Sequence, residues 1–121
     1  MAKKILVVDD EPDILKVVTF RLRKAGYKVV TAEDGQKALD LAQREKPDLI
    51  LLDLRLPVID GYEVCRKLKS DELFKKIPII FLTASSAATI IDKTKKFKAD
   101  DYLIKPFEPD DLLKKVKRFM K

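Results

Sequence analysis

The chain contains no histidine, no tryptophan, one cysteine and three glycines. Without histidine it lacks the commonest general base and the usual zinc ligand. With Cys65 alone it forms no internal disulfide, which fits a reducing cytoplasm. Val64 and Leu68 share a helical face with Cys65, so the thiol reads as packed rather than reactive. No apolar run is long enough to cross a bilayer, and the stretch after Lys3-Lys4 stops at Asp9, too short for a secretory core. No linker, repeat or low-complexity segment interrupts the chain. The expectation is a single cytoplasmic domain over residues 1–121, because 121 residues with 46% hydrophobic content can bury a core unaided.

What is abundant is charge, 38% of all residues with a net +6. The positive excess gathers late, at Lys93, Lys95, Lys96 and Lys98 and again at Lys114, Lys115, Lys117, Arg118 and Lys121. Such a balance is compatible with a nucleic-acid partner. Lysines without interleaved aromatics favour the plainer reading of a solvated face, so neither a nucleic-acid nor a membrane partner is expected.

The apolar residues fall into runs that do not alternate. Leu49-Ile50-Leu51-Leu52 stops at Asp53, with Pro47 before it and Pro57 after it, leaving too little room for a helix. An unbroken run of this kind suits a strand covered on both faces, as in a parallel sheet flanked by helices. Ile5 to Val8, Lys28 to Ala32, Ile79 to Thr83 and Tyr102 to Ile104 read as four more strands. Between them, Ile14, Leu15, Val18 and Leu22 recur at helical spacing after Pro12. Ala38, Leu39, Leu41 and Ala42 do so after Asp34-Gly35, and Val64, Cys65 and Leu68 after Asp60-Gly61. Ser85 to Lys98 and Asp110 to Lys121 read as the last two helices, the former a weak helix former because of Thr89, Ile90, Ile91 and Thr94. Strand and helix alternate five times. The expected fold is α/β, a five-stranded parallel sheet with right-handed crossovers and helices on both faces.

In a parallel sheet all strand ends lie along one edge, where ligand and reaction sites collect. Here that edge carries Asp9 and Asp10, then Asp53, Thr83 and Lys105. An isolated Asp53 would read as a turn cap. Three crowded carboxylates instead call for a cation, and a hard, oxygen-seeking ion such as Mg2+ is the natural one. A hydroxyl and an ammonium beside such a cluster suit a phosphoryl group: Asp53 as nucleophile, Mg2+ and Lys105 offsetting charge, Thr83 donating a hydrogen bond.

Val7-Val8-Asp9-Asp10-Glu11, Leu52-Asp53-Leu54-Arg55-Leu56-Pro57 with Asp60-Gly61, Leu82-Thr83-Ala84 and Lys105-Pro106-Phe107 together resemble the receiver domain of bacterial response regulators. The resemblance spans the chain from Lys4 to the final helix. It implies a flavodoxin-like (βα)5 fold of strand order 2-1-3-4-5 and a phosphoacceptor signalling domain rather than an enzyme. It implies that Asp53 takes a phosphoryl group from a phosphohistidine on a sensor histidine kinase or a phosphotransfer protein. Asp10, Asp53, the backbone carbonyl of Arg55 and waters, one held by Asp9, would surround the metal. Thr83 and Lys105 would grip the phosphoryl oxygens, and Tyr102 matches an aromatic switch position. The first helix and the loop after Lys105 would dock the kinase; the last two helices and the last strand would meet a downstream effector.

Lys98 stands where the family often has glycine, so the turn into the last strand is expected to differ. Arg55 and Ser85 occupy variable positions that tune dephosphorylation. A stand-alone receiver is expected ahead of a receiver cut from a longer regulator, and ahead of an inactive one. Two rivals come from other classes. A Mg2+-dependent phosphatase working through an aspartyl phosphate would want a second acid two residues after Asp53, where Arg55 stands. A basic nucleic-acid-binding module rests on charge alone.

Overall fold

The structure, a computed structural model, describes residues 2–120, so Met1 and Lys121 lie outside it. Its elements follow the order β1 (Lys4–Val8), α1 (Pro12–Lys24), β2 (Lys28–Ala32), α2 (Gly35–Glu45), β3 (Leu49–Asp53), α3 (Gly61–Lys69), β4 (Ile79–Thr83), α4 (Ala87–Lys96), β5 (Asp101–Ile104) and α5 (Pro109–Phe119). The strands form one sheet in the order β2-β1-β3-β4-β5, with every pair parallel. All five carboxyl ends therefore share one edge.

Side chains on successive strand residues point to opposite faces, and the two cores divide accordingly. Leu6, Val8, Ile50 and Leu52 pack toward α2, α3 and α4. Ile5, Val7, Leu49 and Leu51 pack toward α1 and α5. With helices on both faces, the sheet strands have no need of polar residues until they reach the edges. Asp9, Asp53 and Thr83 are the buried polar residues among those described, and all three lie at the carboxyl edge.

Local signals place the helix starts. The Asp34 carboxylate accepts the Lys37 N–H at 2.7 Å and that of Asp60 accepts the Glu63 N–H at 2.9 Å, which caps α2 and α3. Proline opens α1 and α5, where its missing N–H is not needed. Several boundaries differ from the sequence expectation by one or two residues. Strand β1 starts at Lys4 rather than Ile5. Helix α5 runs from Pro109 to Phe119 rather than from Asp110 to Lys121, and Lys121 lies outside the described residues. Helix α4 starts at Ala87 rather than Ser85, because the Ser86 hydroxyl caps the Thr89 N–H. It ends at Lys96 rather than Lys98. Strand β5 starts at Asp101, one residue before Tyr102. On α1, Ile14 is only half-buried, whereas Leu15, Val18 and Leu22 fill the core as their spacing predicts.

Cys65 is buried, its thiol within 3.4 Å of the Phe97 carbonyl, and burial pushes its pKa up to about 12. It is a packed thiol, as read. Most of the late basic residues are exposed, as the solvated-face reading expects, with Lys93 and Lys115 half-buried. Three of the lysines also lie over aromatic rings. Lys93 lies 5.6 Å over the Tyr62 ring, Lys96 5.5 Å over Phe97 and Lys115 5.0 Å over Tyr102. Among the described residues no helix is long and apolar enough to cross a membrane.

Candidate functional site at the carboxyl edge

Asp53 is the last residue of β3 and is almost fully buried. Asp9 follows β1 directly and is fully buried, whereas Asp10 is exposed. One carboxylate oxygen from each of the three lies within 4.8 Å of the other two. Lys105 follows β5, and its backbone N–H is tied to the Thr83 carbonyl at 2.7 Å. From there its ammonium reaches Asp9 Oδ2 at 2.8 Å, Asp53 Oδ2 at 3.4 Å and Glu11 Oε1 at 3.5 Å. The remaining oxygens of the two buried acids accept backbone N–H groups, Asp9 Oδ1 from Glu11 at 3.0 Å and Asp53 Oδ1 from Arg55 at 3.2 Å.

This arrangement leaves more negative charge than Lys105 can answer. Burial and then the neighbouring Asp9 carboxylate push the Asp53 pKa up to about 6, against the opposing pull of Lys105 and the Arg55 amide. Burial by itself would lower the Lys105 pKa. The hydrogen bond to Asp9 and the negative charge of Asp53 and Asp9 outweigh it and hold the ammonium above its ordinary value. A carboxyl whose pKa is raised to about 6 beside two further acids is a site that a divalent cation would relieve. The donor set, three carboxylates within reach of one point, fits a hard ion that keeps several of its waters.

The edge unites Asp9, Asp10, Asp53, Thr83 and Lys105, as the alternation of strands and helices predicted. Thr83 closes β4 with its Oγ1 accepting the Ser85 N–H at 3.0 Å. Tyr102 is set back from the edge. It pairs with Phe81, two positions before the Thr83–Ile104 pair that ends the sheet, and packs half-buried on the α4 side. At Arg55 the backbone N–H meets Asp53 Oδ1. Beside the site, α1 and the Pro106–Phe107 segment form a groove lined by Ile14, Val17, Lys105 and Phe107. Val17 and, farther along α1, Phe20 are exposed.

Two contributors had no role assigned from sequence. Glu11 is a third carboxylate on Lys105, and only its adjacency to Asp9-Asp10 could have pointed to it. Gly61 lets α3 start against the loop after Asp53. A Cβ there would lie 2.3 Å from the Asp53 carbonyl oxygen, and its N–H bonds the Leu54 carbonyl at 3.0 Å. The Asp60-Gly61 pair at a helix start was the available signal.

Comparison with known proteins agrees with this geometry. The response regulator receiver domain family matches over residues 5–117. The chain is 46% identical, over its whole length, to the alkaline phosphatase synthesis transcriptional regulatory protein PhoP of Bacillus subtilis, of which it covers 50%. It is 44% identical over 98% of its length to the DNA-binding dual master transcriptional regulator RpaA of Synechocystis, of which it covers 49%. It thus spans about half the length of these curated relatives. Among solved structures, the chemotaxis protein CheY4 of Vibrio cholerae superposes with a TM-score of 0.92 at 36% identity, covering 98% of this chain and 99% of that one. The receiver domain of the sensor histidine kinase PA1611 from Pseudomonas aeruginosa, which has a magnesium ion coordinated in its active-site cleft, gives a TM-score of 0.90 at 36% identity, covering 99% and 98%.

Proposed function

The chain belongs to the response regulator receiver family of two-component signalling, and on that premise we propose that Asp53 is its phosphoacceptor, working with Mg2+, Thr83 and Lys105. The observation that carries this reading is the convergence of Asp9, Asp10, Asp53 and Lys105 at the carboxyl ends of β1, β3 and β5, with too few cations for the acids present.

In the proposed reaction a carboxylate oxygen of Asp53 attacks the phosphorus of a phosphohistidine carried by a sensor histidine kinase or phosphotransfer protein. The phosphorus–nitrogen bond breaks, and its electron pair stays with the departing imidazole, which takes up a proton. Mg2+ held by Asp10, Asp53 and the Arg55 carbonyl, with Asp9 reaching it through a water, would offset negative charge on the transferring group. Asp53 must be ionised to attack, and a cation beside it favours that form. Lys105, already within 3.4 Å of Asp53, supplies a second positive charge to the phosphoryl oxygens. The Thr83 hydroxyl accepts from Ser85 N–H, so its own proton is free to donate to the phosphoryl group.

We extend the reading to signal output. A charge-assisted bond to the phosphoryl group would draw Thr83 inward, and Tyr102 would move into the space it leaves. That would alter the α4-β5-α5 face and its contact with a downstream effector protein. The phosphoryl group can shift the balance only as far as it favours the inward state, so a bound partner completes the change. Val17 and the groove beside Phe107 would receive the kinase. Residues 1–121 would act as a single cytoplasmic receiver, with Arg55 and Ser85 flanking the phosphoryl group.

The test is mass spectrometry after incubation with a small acyl phosphate and Mg2+. One phosphoryl group is expected on the parent and none on Asp53→Asn. Equal labelling of the variant would remove Asp53 from the role.

A further inference from the structure

The segment Leu54–Asp60 between β3 and α3 carries an outlier that the phosphoryl chemistry does not use. Val58 has φ 71°, a left-handed conformation that a β-branched residue rarely adopts, and its side chain is 79% exposed. The Ile59 N–H bonds the Pro57 carbonyl at 2.9 Å across it. This is the rarer, strained form of the γ-turn. Strain of this kind persists only where the surroundings over-determine it.

The surroundings here are the N-terminus of α2. The Gly35 N–H bonds the same Pro57 carbonyl at 3.3 Å. A Cβ at Gly35 would lie 1.8 Å from the Ile59 carbonyl oxygen and 2.8 Å from Ile59 Cβ. Only a bare α-carbon lets α2 approach this closely. At its other end the segment is held by the Gly61 N–H on the Leu54 carbonyl. Between the two anchors sits Arg55, whose N–H orients Asp53 Oδ1 at 3.2 Å. Val58 is largely exposed and apolar, so the turn's connection to the site runs through the backbone.

We infer that Gly35 and the Val58 turn are positioning elements: α2 clamps the strained turn, and the clamped segment fixes the Arg55 backbone against Asp53. The inference rests on the reading of Asp53 as phosphoacceptor for its consequence, but not for its geometry. The clamp also makes α2 part of the site, although α2 supplies no side chain to it.

Val58→Pro forces φ to a negative value at an exposed position, where no core packing is lost. Val58→Gly keeps the turn accessible at no steric cost. Gly35→Ala attacks the clamp from the other side. Two readouts apply to each variant: the NMR shift of the Arg55 amide without donor or metal, and the labelling rate with an acyl phosphate at saturating Mg2+. Val58→Pro should move the Arg55 amide and slow labelling about tenfold while far-UV circular dichroism stays that of the parent; tenfold corresponds to about 1.4 kcal/mol of barrier. Val58→Gly should leave both readouts near the parent. Gly35→Ala, if folded, should resemble Val58→Pro; if it does not fold, the two Val58 variants decide. An unmoved Arg55 amide and unchanged rate in Val58→Pro would overturn the inference. So would equal slowing by Val58→Gly, which would indicate a side-chain role. A parent that takes no label would count against Asp53 as acceptor, and the donor-free Arg55 shift would still decide whether the clamp exists.

Discussion

The two edges of the sheet treat charge in opposite ways. At the amino edge each buried or half-buried charge has its counterpart. The Lys69 ammonium meets Asp100 Oδ2 at 2.8 Å and also the carbonyls of Ile77 at 2.9 Å and Lys75 at 3.2 Å. The same Asp100 oxygen accepts the Ile79 N–H at 2.8 Å. Lys4 is held by Glu45 through its ammonium and by Asp48 through its backbone N–H. At the carboxyl edge, three acids (Asp9, Glu11 and Asp53) meet the single ammonium of Lys105, and Asp10 stands beside Asp9 and Asp53. Satisfied charges secure the ends of strands and the connection into β4. Unsatisfied ones leave a place for a cation and an incoming phosphoryl group. A fold of this kind keeps stability and reactivity at opposite ends of the same strands.

The sharpest test of that contrast is to remove one lysine from each edge. Lys69→Met strands two backbone carbonyls and leaves Asp100 with only backbone donors. The expected loss is about 2–4 kcal/mol, read as a lowered denaturation midpoint, with acyl phosphate labelling unchanged where the chain is folded. Lys105→Met also costs stability, since it leaves Asp9 and Asp53 unanswered. Mg2+ should repair that loss, because the cation replaces the missing charge, and should not repair the loss in Lys69→Met. Equal Mg2+ rescue of both variants would dissolve the distinction between the edges.

A second test uses the carboxyl edge alone. If the acids are held in mutual repulsion, Mg2+ should stabilise the parent, by about 2.7 kcal/mol at a hundred times its dissociation constant, and raise its melting temperature accordingly. Asp10→Asn should need more metal for the same gain. The same repulsion has a pH signature without metal. The Asp53 carboxyl titrates at about 6 in the folded chain against an ordinary value of 3.8. Between those values the folded state holds more protons than the unfolded one, so stability falls as pH rises from about 4 to 6. Allowing for solvent screening, the fall is on the order of 1–2 kcal/mol. Asp53→Asn should lack this leg and be the more stable protein at pH 7 in the absence of metal. Identical pH profiles for parent and variant would mean that Asp53 carries no such burden.

Much of this was legible in the sequence because the signals were redundant. The central strands β1, β3 and β4 carried unbroken apolar runs. These and β5 ended on, or one residue before, a polar residue with little reason to be there unless the ends shared an edge. Asp9, Asp53, Thr83 and Lys105 could therefore be gathered before any coordinates. The resemblance supplied the strand order, which periodicity cannot. Other features depend on backbone approach and were not visible. The turn at Val58 shows no glycine or asparagine to announce its positive φ. The closeness of Gly35 to Ile59 joins residues 24 positions apart. The packing of Lys93 and Phe97 against the Tyr62 ring likewise joins α3 to α4 and the residue that ends it, and sequence spacing does not report such contacts.

The smallest expected effect lies at the amino edge, where Lys98 occupies a position that glycine often fills in the family. The expectation was an altered turn, but the turn takes a standard form. Lys98 adopts φ 61° just past the end of α4. Its N–H bonds the Lys95 carbonyl at 3.2 Å, and the Ala99 N–H bonds the Thr94 carbonyl at 3.0 Å. That pair of bonds is the Schellman termination, whose left-handed residue is usually glycine. Lysine therefore sustains the geometry against the steric cost of its Cβ, which is about 1–2 kcal/mol for a left-handed residue. Lys98→Gly should remove that cost, and the freedom glycine gains in the unfolded chain should return part of it. The net expectation is a gain of up to about 1 kcal/mol, a rise of a few degrees in melting temperature for a chain of this size. Labelling at Asp53 should be untouched, since Lys98 lies at the far end of the sheet from it. A variant no more stable than the parent would show that the left-handed Lys98 carries no net strain, its steric cost being matched by the freedom glycine gains in the unfolded chain.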